Sequence, residues 1–89
     1  QELFGVYQQL RQAQLEVTSV RERQLPKAEQ AMNQSRRGFE EGRFSYLALS
    51  QAQKTLFDLR EREVESAALY LRLLVEADRL TASAQDVRP

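Results

Sequence analysis

The sequence predicts an all-α fold, a long antiparallel helical hairpin of coiled-coil type that assembles into a larger helical bundle. Three observations carry this. Two of the chain's three glycines, Gly38 and Gly42, lie almost at its middle. The arms on either side are comparable in length and rich in glutamine, alanine, leucine and charged residues. Both repeat apolar residues at alternating steps of three and four, the spacing of a coiled-coil seam. At about 1.5 Å per residue, arms of roughly 36 to 38 residues reach about 55 Å. A rod of that kind in 89 residues is one domain at most and encloses little core. The expected organisation is a hairpin over residues 1–82 and a frayed tail over 83–89.

The first arm, about 2–37, places Leu3, Val6, Leu10, Ala13, Val17 and Val20 on one seam. Gln24 and Lys27 then occupy the next two seam sites, and a displaced set resumes at Leu25, Ala28, Met32, Ser35 and Phe39. The slip coincides with Pro26, which lacks a backbone donor and clashes with the preceding turn, at about 3 kcal/mol inside a helix. Either two helices meet here or one helix is kinked near residues 24–26. No Gly, Asn or Ser cluster marks a loop, which favours the kink.

The tip, 38–45, combines the glycine pair with a polar cap. Gly38 and Gly42 suit the positive-φ or crowded backbone that stops a helix and reverses the chain. The Ser45 hydroxyl is placed to accept from free N–H groups at the start of the returning helix. Phe39, Phe44 and Tyr46 fall within eight residues of one another, more aromatic surface than a turn needs. On one reading Phe39 and Tyr46 cap the hairpin end. On the other, Phe44 beside Arg43 forms a docking surface of the kind found at interface hot spots. The two are compatible.

The second arm, about 45–82, keeps its seam without a slip through Leu49, Ala52, Leu56, Leu59, Glu63, Ser66, Tyr70, Leu73, Ala77 and Leu80. A second line, Phe57, Val64, Ala67, Ala68, Leu71, Leu74 and Val75, runs beside it. Two adjacent seams call for two or more neighbouring helices. A hairpin without such neighbours is expected to self-associate through this arm, most simply as a dimer forming a four-helix bundle.

Composition narrows the function classes. Thirteen basic and thirteen acidic residues cancel and are spread over both halves, unlike the basic face of a nucleic-acid binder. No polybasic cluster or apolar run of about 20 residues points to membrane contact by this chain, and no signal peptide is visible. A start at Gln1 suggests a fragment or processed product. The absence of cysteine excludes a disulfide scaffold, and the absence of histidine as well removes the common nucleophile–base pairs and transition-metal sites. Met32 lies on the apolar stripe, Glu40-Glu41 is a solvated pair, and residues 60–65 form a charged helix surface. Asp58 and Arg62 are spaced for an i,i+4 ion pair. Glu63 is a wet seam position. The chain is read as a non-enzyme with no cofactor and no metal.

The string Gly38-Phe39-x-x-Gly42-x-x-Ser45-x-x-x-Leu49-x-x-Ala52-Gln53 resembles the hairpin tip of the TolC-like outer-membrane efflux proteins. Leu25-Pro26-Lys27-Ala28-Glu29 looks like the Leu-Pro-x-Ala-Glu element of their CzcC-type heavy-metal branch. Leu80-Thr81 resembles that branch's closing Leu-x-x-Leu-Thr-Gly, with Ala82 where glycine is usual. The resemblance covers nearly the whole chain. It implies a periplasmic hairpin of an outer-membrane protein from a Gram-negative bacterium, one of the hairpins with which three protomers build a trimeric export tunnel. The tips of such hairpins meet the periplasmic adaptor (membrane-fusion) protein. Gly38, Phe39, Gly42, Ser45 and Leu49 match the tip motif, and Arg43, Phe44 and Tyr46 share its contact surface. Ala48 and Gln51 fall at the channel entrance, where many members carry acidic residues. Their neutrality here leaves an acidic ring from this repeat unsupported. Heavy-metal export rests on the branch resemblance alone. Two other readings remain open: the α-hairpin of the adaptor itself, to which Arg37 and Ser45 could belong, and a generic coiled-coil scaffold.

Overall fold

The computed structural model describes residues 2–86. The chain is an all-α antiparallel hairpin, a rod measuring 74 × 15 × 14 Å along its principal axes. Helix α1, Glu2–Ser19, and helix α2, Leu25–Glu40, are joined by a single π-helical turn, Val20–Gln24. After a reversal at 41–45, helix α3, Tyr46–Asp86, runs back along both. It extends four residues beyond the end expected at Ala82, through part of the segment expected to fray, and 87–89 lie outside the described residues.

The π turn accounts for the slip in the first seam. Leu25 donates its backbone N–H to the Val20 carbonyl, five residues back rather than four. One extra residue is thereby taken up, and Val20 and Leu25 point to the same side although they are five apart. Both are buried, Val20 completely. Gln24 also closes the turn laterally, its Nε2 donating to Ser19 Oγ at 3.0 Å. Pro26 is the second residue of α2, so the i→i−4 bond that its missing donor cannot make falls directly after the π turn. The first arm is therefore not split by a loop, and the irregularity expected near 24–26 is this π turn, which closes on Leu25 immediately before Pro26. It is there that the seam changes phase.

The core is thin, and its buried cluster lies in the half of the rod nearer the reversal. Val20, Leu25, Ala28 and Met32 pack with Leu49 and Leu56 of α3, with Ala52 and Leu59 against them. Every one of the ten seam positions in α3 is buried or half-buried. Glu63 is half-buried and accepts a hydrogen bond from Arg21 Nε of the π turn at 2.7 Å, and the buried Ser66 donates its hydroxyl to the Glu63 carbonyl. No buried side-chain polar atom among the described residues lacks a partner. The inter-arm ion pair remains exposed enough that it contributes about 0–1 kcal/mol. Asp58 pairs with Lys54, one turn before it, at 3.0 Å, instead of with Arg62. Arg62 turns away toward a groove on the other side of α3, shared with Glu16 and Glu65.

Candidate functional site

The tip is built as a helix stop, a short link and a helix start. α2 continues through Gly38 to Glu40, so the reversal is shorter than the 38–45 expected. Gly42 takes φ +77°, a region that side chains rarely enter. Around it, Gly42 N–H donates to the Phe39 carbonyl at 3.0 Å and Arg43 N–H to the Gly38 carbonyl at 2.7 Å. These are the two bonds of a Schellman motif, which satisfy carbonyls the helix end would otherwise leave free. Phe44 N–H shares the Gly38 carbonyl at 3.1 Å. Ser45 opens α3, its Oγ accepting from Ala48 N–H at 3.1 Å. That contact satisfies one of the orphan donors of the first turn.

The two glycines thus do different work. Gly42 supplies the positive φ, whereas Gly38 is helical and buried beneath the Phe44 ring. Phe44 keeps 43% of its surface exposed. The Arg43 guanidinium carbon lies 5.5 Å from the Phe44 ring centroid. It is held there because Arg43 Nε and Nη2 both donate to Glu41 Oε1, at 3.0 and 2.7 Å. Phe39 and Tyr46 meet edge to face, with ring centroids 5.9 Å apart. Both stay exposed, so they brace the end of the hairpin and remain on its surface.

Gly38, Phe39, Gly42, Arg43, Phe44, Ser45 and Tyr46 therefore converge at one end of the rod. Leu49 does not join them on the surface. It is buried in the core cluster because α3 has completed its first turn by then, and its place is to fasten the tip to the arms. Ala48 is half-buried beside the cap and Gln51 is exposed on α3. Two residues of the tip escaped the sequence reading. Leu47 is as exposed as Tyr46 and completes an apolar crown with it. An aliphatic on neither seam was the available signal. Glu41, read as merely solvated, orients Arg43.

A second exposed surface lies along α3. Phe57, Val64, Leu71 and Val75 are exposed on the side where the arms form two grooves. Leu71 lines one with Val17, Thr18 and Arg21, and Phe57 lines the other with Glu29, Asn33 and Arg36. The groove on the opposite side of the rod is mixed, with Gln9, Gln12, Glu16, Arg62 and Glu65 beside Leu69 and Leu73.

Among the described residues no group of three or more acidic side chains is placed to hold a metal ion. Within the same residues no helix is long and apolar enough to cross a membrane. No family model, curated protein or solved structure matches the chain.

Proposed function

We propose that this hairpin is a structural segment of a TolC-like outer-membrane efflux channel. Its arms form part of a periplasmic tunnel wall, and its tip docks the adaptor protein. The observation that carries the reading is the division of roles within the tip. Gly38, Gly42 and Ser45, which bear the motif resemblance, are consumed in making the reversal. Phe39, Phe44, Tyr46 and Leu47 are left facing outward, with Arg43 fixed over one ring. A reversal needs only the first group. Rigid aromatics beside an oriented arginine are the residue types that dominate binding energy at protein interfaces.

The mechanism is mechanical rather than chemical. The Schellman motif and the serine cap hold the crown in one geometry, so a partner hairpin meets a preorganised surface and loses little entropy on docking. The test is a photo-crosslinking side chain at position 44 of the full-length protein in its own cells, with the adducts identified by mass spectrometry. Adducts to a periplasmic adaptor hairpin are expected, and Gly42→Trp should abolish them while the protein still assembles. Adducts to an outer-membrane tunnel protein would instead favour the adaptor-hairpin reading. Adducts to cytoplasmic proteins alone would overturn both in favour of a scaffold.

A further inference from the structure

We propose that the outer face of α3 is a contact surface for a second copy of this chain, packed antiparallel about a two-fold axis through Val64. The proposal concerns the 89-residue chain itself and uses a surface distinct from the tip, so it does not rest on the tunnel reading. Phe57, Val64 and Leu71 are 60%, 68% and 59% exposed. They recur every seven residues and so form one stripe along the helix. The stripe is symmetric about its centre. An antiparallel copy sets Phe57 against Leu71 of the second copy and Val64 against its own counterpart. A self-complementary contact of this kind uses one patch twice and closes at two copies.

The rest of the face fits the same register. Ala67 and Ala68 lie between the large side chains, half-buried and small enough for close helix approach. They fall opposite Glu61 and Arg60 of the second copy, whose aliphatic stems can cover them while the charges reach water. Lys54, which pairs with Asp58 of its own chain at 3.0 Å, falls opposite Leu74 of the second copy and about 6 Å along the axis from its Asp78, an arrangement repeated at both ends by symmetry. A parallel arrangement would set Lys54 against Lys54 and Asp78 against Asp78. The flanking charges are already balanced within the chain by Arg21–Glu63 and Arg60–Glu29, so the face offers no one-signed field to a nucleic acid or a lipid headgroup. Between Phe57 and Val75 the stripe is about 27 Å long. Across a rod 15 Å wide it covers roughly 400 Å² of flat area per copy. The corrugated surface of the pair then reaches on the order of 1,000 Å², the size at which specific interfaces begin.

The chain has no cysteine, so single replacements report cleanly. Sedimentation of the wild type at tens of micromolar should give a dimer, and Val64→Glu a monomer with unchanged helical circular dichroism. Under mild oxidation, Phe57→Cys mixed with Leu71→Cys should crosslink about tenfold more than Phe57→Cys alone, whose two copies stand about 21 Å apart. A helical wild-type monomer, a dimer indifferent to Val64→Glu, or efficient crosslinking of Phe57→Cys to itself would each overturn the proposal.

Discussion

Phe44 occupies the space that a side chain at Gly38 would need: a Cβ built at position 38 lies 2.4 Å from Phe44 Cδ2 and 2.7 Å from Cγ. The atoms met include the base of the ring, so a small rotation of its far edge gives no relief. Gly38 is a helical residue, and alanine there would by itself favour the helix by about 1 kcal/mol. The clash opposes this with an overpacking cost of about 1–3 kcal/mol. Gly38→Ala is expected to lower stability in the wild type and to raise it in a Phe44→Ala background. A coupling of about 1 kcal/mol or more in a double-mutant unfolding cycle, run at fixed chain concentration, checks this.

Gly42→Ala should cost about 1–2 kcal/mol, the penalty for an L-residue in left-handed backbone. In a chain of this size that lowers Tm by roughly 4–16 °C. Gly42→Asn should lose less, because asparagine enters that region more readily. Thermal unfolding of the two variants side by side separates the backbone effect from any side-chain effect, since a Cβ at this position meets nothing within 4 Å.

Removing the Ser45 hydroxyl leaves the Ala48 N–H without its acceptor. Ser45→Ala is expected to cost about 1 kcal/mol, while Ser45→Asp keeps the cap and adds a favourable interaction with the helix dipole. Chemical denaturation ranks the two, and the opposite order would show that the hydroxyl is dispensable.

Pro26→Ala should leave the π turn in place. A regular helix would rotate Leu25 about 500° from Val20, so one half of the seam would leave the core. Deleting Glu22 from the Pro26→Ala variant should instead give an unbroken α-helix, because the seam steps then run three and four throughout. Amide hydrogen exchange across 20–24 reads the difference: weak protection in Pro26→Ala, strong protection after the deletion.

Much of this was legible in the residues alone. Heptad spacing located both seams because a thin two-helix core leaves few alternatives for Leu49, Leu56 or Met32. The exposed stripe of Phe57, Val64 and Leu71 followed from the same periodicity. The slip after Val20 was visible and was placed beside Pro26, but that it takes the form of a π turn was not legible. A one-residue phase change and a proline look alike in sequence, and only backbone hydrogen bonding separates them. At the tip, the cap and the left-handed glycine were readable from residue type. That Gly38 serves Phe44 was not, since the contact depends on where the link sends the ring. Leu47 was missed because an aliphatic off both seams, the one signal it gives, occurs singly at the helix start and repeats with nothing.

The π turn also governs how this hairpin can change length. On either side of Val20–Gln24 the arms are locked in phase with α3, so shortening or lengthening them keeps the packing only when whole heptads go from both arms together. The turn is the exception, a place where a single residue is stored without disturbing either half. Homologous rods of other lengths should therefore differ by paired heptads, with odd insertions and losses gathered at this one position.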